Sequence, residues 1–486
     1  MKIWKSSVNT KVLILVLLCL LALAIRVVLI LQYGVDHDED AYSHTINSYV
    51  TAQTGVYPWA AWLPLYHYFG ALAIVLFGRF VEANVLCRLV SAIFGSLTII
   101  PAYLISRKIF GERVGFTASV LLTTAPSLFV NLSTSAMQEV PFAFLLLMSI
   151  SFLLQERVGL SSFMLALSIL TRYEGWIVTP LFILLVLGMR KISLSRKVVA
   201  IVIPCLAILS WLVWNQILTG SVFVFYLAEI KSGGYTPIHF LKLLPQSMDY
   251  VLLFLSVVGI YESLRENLTP NNLTVLLFTF LIFLFHSFRG ITGGWNLGGW
   301  DIRYLAPLTP FFVIYAASGL TKVVDLAPPV LDLVAMPRLF TRRRSELIAK
   351  GLFASSLVLL CLGSLVLVNH ELSMRNSDSR WASLRSAGLW LKMNAGSQDR
   401  ILCDSSAIRY YSGLERSYVS FWDVPAAGQP AYVFLKDSGV RFMAIVDWED
   451  WYPSAKWFPE LMRGVGAEHY LLRGSFGWGT YIYEVV

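Results

Sequence analysis

The feature that most restricts this chain is a succession of apolar runs. The first, residues 11–32, carries only Lys11 and Arg26 as charges. Similar runs recur at 88–107, 114–130, 139–154, 159–171, 175–189, 198–215, 248–265, 273–288, 304–321 and 351–369. A helical crossing of a bilayer takes roughly 20 apolar residues. Inside the hydrocarbon every backbone N–H and C=O must be satisfied within the protein. The expected fold class is therefore an α-helical polytopic membrane protein with about eleven transmembrane helices. Runs 159–171 and 175–189 are short enough to form one re-entrant pair, and 65–80 reads as a helix lying at the interface. The first run also admits a signal-peptide reading with cleavage after Ala22-Leu23-Ala24. It stays apolar through Leu31, which favours a span.

Composition agrees. The 486 residues are 57% hydrophobic and 14% charged, with a mean hydropathy of +0.66; soluble domains carry about 25% charge. A net charge of +8 would suggest nucleic acid in a soluble chain. Here the cations lie between apolar runs, so they set orientation, and no nucleic-acid partner is expected. Lys2, Lys5, Lys11, Arg107, Lys108, Arg113, Arg190, Lys191, Arg196, Lys197, Lys322, Arg338, Arg342, Arg343, Arg344 and Lys350 share one side, which is then cytoplasmic. The opposite, extracytoplasmic side receives Asp36, Asp38, Glu39, Asp40, Glu139, Glu174, Glu229, Asp249 and Asp301. The five cysteines are scattered without disulfide or zinc spacing.

Past residue 370 polar residues become frequent. The pattern predicts a helix over 379–393, strands over 400–403, 418–421 and 441–446, a helix over 432–436, and strands over 469–472 and 480–485. The chain thus divides into a transmembrane domain, 1–370, with its first outer loop at 33–87, and a small extracytoplasmic α/β domain, 371–486.

The run Asp36-His37-Asp38-Glu39-Asp40-Ala41-Tyr42 follows the first span directly. Carboxylates beside a membrane helix are costly and point to function. In an extended segment Asp38 and Glu39 point opposite ways, so one can reach substrate while the other binds a metal or holds the loop. A carboxylate at a low-dielectric face has a raised pKa, as a general base requires. A solvated acidic loop is the plain alternative. The aromatics that follow, among them Trp59, Trp62, Tyr66 and Tyr68, suit either a sugar ring or an interfacial belt. Asp36, Asp38 and His44 form a candidate divalent-metal set, with His37 and His67 nearby in sequence.

Three further segments carry charge to the same face. Glu139, in Ser135-Ala136-Met137-Gln138-Glu139, is either a helix N-terminal carboxylate or a substrate ligand. Arg172 and Glu174, between two short spans, pair with each other, and Arg172 also suits a lipid phosphate. Asp301, Arg303 and Tyr304 follow a glycine-rich loop over 293–299, and Arg303 is placed to snorkel or to grip an anion. Arg26 poses the same question more weakly.

Asp38-Glu39-x-x-Tyr42 after the first span resembles the Asp-Glu-x-x-aromatic signature of GT-C fold membrane glycosyltransferases. This group holds the protein O-mannosyltransferases and the aminoarabinose transferases of bacterial lipid A. Trp62-Leu63-Pro64-Leu65-Tyr66 is similar to their Pro-Pro-Leu-Tyr segment, with one proline fewer. Ser135 to Glu139, Thr171-Arg172-Tyr173-Glu174-Gly175 and Arg303-Tyr304-Leu305-Ala306-Pro307 resemble family segments in the same order, so the likeness spans nearly the whole chain.

The resemblance implies a GT-C-like fold and transfer of a sugar, hexosyl or mannosyl-like, from a polyprenyl-phosphate carrier to an acceptor hydroxyl on a protein, lipid or glycan. Inversion is implied, with Asp38 as general base and Glu39 as its catalytic neighbour. Tyr42, His67, Glu139, Arg172, Glu174, Asp301, Arg303 and Tyr304 are the implied substrate-binding candidates, Arg303 being preferred for the phosphate. No cofactor is certain beyond the possible divalent metal, and membrane lipids are the remaining partners. Asp40-Ala41-Tyr42-Ser43-His44 also resembles a segment of oligosaccharyltransferase catalytic subunits. Their Trp-Trp-Asp-Tyr-Gly motif is absent, and Asp447-Trp448-Glu449-Asp450-Trp451 does not replace it. A transporter or flippase of lipid-linked sugars and a membrane scaffold are the non-enzymatic alternatives.

Overall fold

The computed structural model describes residues 8–58, 62–222, 239–289, 300–334, 342–413, 417–420, 424, 431–446, 458, 461, 464 and 469–486. Lys2, Lys5, Trp59, Glu229, the loop 293–299, Arg338, residue 421 and the segment 447–451 lie outside the described residues, as do the side chains of Asp301, Arg342, Arg343 and Arg344.

The chain opens with α1 (Val8–Gln32), α2 (Glu39–Thr54), α3 (Leu65–Phe77), α4 (Ala83–Leu97), α5 (Ile99–Phe110), α6 (Glu112–Thr124) and α7 (Ser127–Leu132). It continues through α8 (Glu139–Leu154), α9 (Val158–Ile169), α10 (Glu174–Gly188), α11 (Leu194–Thr219), α12 (His239–Met248), α13 (Tyr250–Glu266) and α14 (Pro270–Arg289). A 3-10 helix (Trp300–Leu308) leads into α15 (Thr309–Val334), and α16 (Arg342–Asn376) continues through residue 370.

Each of the eleven apolar runs falls on helix. Six stand in stretches long and apolar enough to cross a membrane: Asn9–Gln32, Ala83–Phe110, Leu194–Thr219, Pro270–Ser287, Ile302–Leu326 and Leu347–Asn376. Run 248–265 belongs to a seventh, made of α12 and α13, which bends by 108°. The bend falls at Asp249, whose φ is +55°, a conformation Asp adopts more readily than most residues. Its carboxylate accepts hydrogen bonds from Ser127 N (3.1 Å), Ser127 Oγ (2.5 Å) and Ser364 Oγ (2.7 Å), tying the bend to α7 and α16. The other four runs are shorter helices. Run 114–130 divides into α6 and α7 because Pro126 disfavours helical geometry in the residue before it, and α8, α9 and α10 have 16, 12 and 15 residues. Full-length crossings are thus fewer than the expected eleven among the described residues. This is a membrane protein in which full-length spans stand beside shorter apolar helices.

The helices share one large apolar core running from Ala22 and Ile99 to Tyr315 and Leu320. α13 and α15 meet at glycines: a Cβ on Gly259 would sit 2.0 Å from the Tyr315 carbonyl. At one end of the bundle the cations are partnered, Lys11 and Arg107 with Glu112 (3.2 and 3.1 Å) and Arg113 with Asp325 (2.6 Å). α1 carries the chain from Lys11 to the acidic run, about 1.5 Å per residue.

The acidic run meets a five-stranded sheet. After α17 (Ser379–Asn394) come β1 (Arg400–Leu402), α18 (Ser406–Ser412), β2 (Tyr418–Val419), α19 (Ala431–Asp437), β3 (Val440–Val446), β4 (Tyr470–Ser475) and β5 (Thr480–Val485). The order is β2-β1-β3-β5-β4. β1 is parallel to β2 and β3, whereas β5 is antiparallel to β3 and β4. Central β3 is buried at every residue but Arg441, and edge β4 alternates, as two-faced and edge strands do. α17 and α18 cover one face with Leu384, Leu391, Ala407 and Ile408, and Tyr42 of α2 is part of that same core. α19 covers the other face through Leu435.

Candidate active site

α2 begins where its sequence dictates. Asp38 is its N-cap, in extended conformation, and one carboxylate oxygen accepts from Asp40 N (2.7 Å). Glu39 and Asp40 occupy the first turn, where the helix dipole favours carboxylates. Gly55 closes the helix in the left-handed region, its N–H on Thr51 O. The acidic segment is therefore a cap and a first helical turn rather than a fully extended loop. The expected divergence of Asp38 and Glu39 holds all the same, because a residue outside a helix and the first residue inside it point differently.

Asp38 turns to Arg303 of the 3-10 helix, with Oδ2 3.4 Å from Nη1. Arg303 Nη2 also donates to Asp40, and Arg303 Nε is buried without a hydrogen-bond partner among the described residues. Burial, offset in part by Arg303 and reinforced by Asp40 and Asp36, pushes Asp38 up to about 7. Glu39 turns the other way. Its carboxylate accepts from Ser405 Oγ (2.7 Å), Ser406 N (2.6 Å) and Ala407 N (3.1 Å) at the start of α18.

Tyr304 lies between two guanidinium groups. Arg303 is 5.2 Å and Arg172 5.6 Å from its ring centre. Arg172 is buried and paired as expected: Nη1 donates to Glu139 (2.7 Å), while Nε and Nη2 donate to Glu174 (2.9 and 2.8 Å). His286 Nε2 is 3.3 Å from the same Glu174 oxygen. Glu139 and Glu174 are the first residues of α8 and α10, so each carboxylate also meets a helix dipole.

The remaining candidates brace α2. Asp36 accepts from Ser135 Oγ (2.5 Å) and Ala136 N (2.9 Å). Tyr42 donates to Asp36 O (3.0 Å) and shares a hydrogen bond with Tyr411 (2.9 Å). His44 Nδ1 and His67 Nε2 are 2.9 Å apart, and His67 Nδ1 meets Leu63 O at 3.1 Å. Burial, with Arg303 and Arg172 adding to it, holds His44 well below the usual imidazole range. His67 is held low by burial and by His44. Asp36, Asp38 and His44 do not converge on one point as the expected metal set, since each carries the different partners just named. Among the described residues no group of three or more His, Cys, Asp or Glu side chains is arranged to hold a metal ion. Arg26 stays inside α1, donating to Ala22 O (3.0 Å) and Thr123 O (3.1 Å).

With this geometry set out, the likeness to solved structures is decisive. ArnT from Cupriavidus metallidurans, bound to undecaprenyl phosphate, superposes with a TM-score of 0.65 at 14% identity, over 99% of this chain and 99% of that one. The oligosaccharyltransferase of Archaeoglobus fulgidus matches with a TM-score of 0.59 at 14% identity, over 97% of this chain and 74% of that one. The chain has the GT-C glycosyltransferase fold. A further structure of the Archaeoglobus enzyme, AglB with an inhibitory peptide and a dolichol-phosphate, matches with a TM-score of 0.58 at 13% identity, over 98% and 74% of the two chains. Residues 58–214 match the sequence profile of the family described as dolichyl-phosphate-mannose-protein mannosyltransferase. No curated protein gives a significant sequence match.

In this GT-C fold several partners escaped the sequence reading. Ser405 and Ser406 drew no expectation, because nothing local ties them to Glu39. His286 sits in an apolar run without a flanking signal. Arg375 and Arg88 both act on His37, which burial, together with these two cations and against Asp36, pushes down to about 4. Arg88 donates to Thr134 O (2.7 Å). A charged residue at the edge of run 88–107 was the available clue.

Proposed function

We propose that this protein is an inverting glycosyltransferase that takes a sugar from a polyprenyl-phosphate carrier and gives it to an acceptor hydroxyl on the extracytoplasmic side. The observation that carries this is the Asp38–Arg303 pair. A carboxylate with a pKa raised to about 7 is matched to removing a hydroxyl proton near neutral pH. As the acceptor oxygen attacks the anomeric carbon, the carbon–phosphate oxygen bond breaks and the carrier leaves as a phosphate. That leaving group needs cationic stabilisation rather than a strong acid. Arg303 supplies it: its Nε has no partner among the described residues, and its two other nitrogens rest on Asp38 and Asp40. Arg172 contributes less, being committed to Glu139 and Glu174. Tyr304 offers its ring to both cations, and Tyr42, His44 and His67 hold α2 in place.

Bound undecaprenyl phosphate in ArnT and dolichol-phosphate in AglB support a lipid-phosphate carrier here. The missing Trp-Trp-Asp-Tyr-Gly motif favours a hydroxyl acceptor over an Asn side chain. The test is incubation of the purified protein with a panel of polyprenyl-phosphate sugars, reading release of polyprenyl phosphate. One donor should be turned over by the native protein and not by a folded Asp38→Asn variant. Undiminished turnover by that variant removes Asp38 from the role of base.

A further inference from the structure

Glu39 is adjacent to the proposed base, yet its oxygens are engaged elsewhere. They accept three hydrogen bonds, at 2.6–3.1 Å, from residues 366–368 positions further along the chain. Two of the donors are the first backbone N–H groups of α18, and the third is the Ser405 hydroxyl that also caps this helix. Two neighbours on α2 repeat the connection. Ser43 Oγ and Ser406 Oγ are 2.5 Å apart, and Tyr42 meets Tyr411. Residues 39, 42 and 43 are spaced i, i+3 and i+4, so they form one face of α2. That face is stitched to α18, and Tyr42 completes the core of the sheet region.

We infer that Glu39 is a positioning residue: it latches the first turn of α2 to α18, so that docking of the C-terminal sheet region sets the reach of Asp38. The inference rests on the reading of Asp38 as the base. Asp38 is the residue immediately outside that first turn, so any rotation of α2 moves it directly. Its contact with Arg303 is long, at 3.4 Å, and a small displacement makes or loses it. The charged groups facing Asp38 are Asp36 and Asp40 from its own segment, Arg303 from the 3-10 helix and Arg375 from α16. Arg303 and Arg375 stand on other elements, so their distances to Asp38 change when the latch opens.

The test uses the full-length protein in detergent or nanodiscs, with whichever polyprenyl-phosphate sugar of the panel the native protein turns over as donor. Three readouts are followed: kcat against KM, the pH profile of kcat/KM, and hydrogen–deuterium exchange over 405–412. Glu39→Ala is expected to quicken exchange over that segment and to lower kcat about 100-fold, the cost of a displacement near 1 Å. The donor KM should change little. The acidic limb of the profile should move to lower pH as Asp38 gains water. Glu39→Gln still accepts from both N–H groups and should restore most of kcat. Ser406→Pro removes one donor from the α18 side, at a first helical position that tolerates proline, and should shift kcat and the profile in the same direction as Glu39→Ala.

Three results overturn the inference. Glu39→Gln as inactive as Asp38→Asn would place Glu39 in the chemistry. Unchanged exchange in Glu39→Ala would remove the latch. Quickened exchange in Ser406→Pro with kcat and pH profile untouched would break the coupling. Full activity of Asp38→Asn rejects the base assignment and with it the coupling of the latch to Asp38, whereas unchanged exchange in Glu39→Ala rejects the latch alone, so the two failures are distinguishable.

Discussion

Two guanidinium clusters flank the Tyr304 ring, and they are built to different ends. Around Arg172 every guanidinium nitrogen is committed, although Glu139 keeps one buried oxygen without a hydrogen-bond partner among the described residues. The Arg172 nitrogens donate to Glu139 and Glu174 at 2.7–2.9 Å, and both carboxylates start helices. Around Arg303 the balance is left open. One contact is 3.4 Å, one nitrogen has no partner among the described residues, and Asp38 sits with a pKa raised to about 7. A buried cation whose nitrogens are all committed resists change. A cation with a long contact and a nitrogen to spare can exchange a partner for substrate, which is why the second cluster is the better place for chemistry.

The comparison can be broken at several points, beginning with the most damaging. Arg172→Leu leaves Glu139 and Glu174 buried without their cation. Losing one member of a buried pair costs about 3–5 kcal/mol, so the variant should show a large drop in melting temperature in detergent, whatever its activity. A stable, folded Arg172→Leu protein would mean that this cluster is not the brace. Asp38→Asn should do the reverse, leaving the melting temperature near that of the native protein and lowering turnover by about 10²–10⁴-fold, the usual contribution of a general base.

The Arg303→Gln variant sharpens the contrast through pH. The base must be ionised, so turnover falls as pH drops through the pKa of Asp38, near 7 in the native protein. Arg303 holds that pKa down against burial. Its loss should move the acidic limb to higher pH, together with a drop in kcat of about 10²-fold from lost phosphate stabilisation. A limb that stays in place separates Arg303 from Asp38. The smallest effect is expected at the ring the clusters share. Tyr304→Leu removes two cation–π contacts and should cost about 0.5–2 kcal/mol in stability and activity combined. Tyr304→Phe keeps the ring and should retain more of both than Tyr304→Leu does; equal losses would assign the effect to the hydroxyl.

Much of this was readable beforehand. The predicted strand at 480–485 and helix at 379–393 match β5 and α17 to within a residue, because alternation and amphipathic spacing are local signals. Arg172 and Glu174 were legible as a pair from their proximity in sequence. Glu39 was not legible as a latch, because its partners are more than 360 residues away. The three-residue metal set failed for a related reason. Spacing along a chain does not say which way a side chain faces once Asp38 caps a helix and His44 lies inside it.

The amino-acid sequence by itself determined that this chain is a membrane-embedded bundle of helices with an α/β layer after it, since apolar run length and residue periodicity act through nearest neighbours and solvent. It also singled out Asp38, Arg172 and Arg303, because charges beside apolar runs are costly enough to stand out. Only the tertiary structure decided which of those charges are compensated. Electrostatic compensation depends on distances of a few ångströms between groups far apart in the chain, and folding alone brings Arg303 to Asp38 and Glu39 to Ser406.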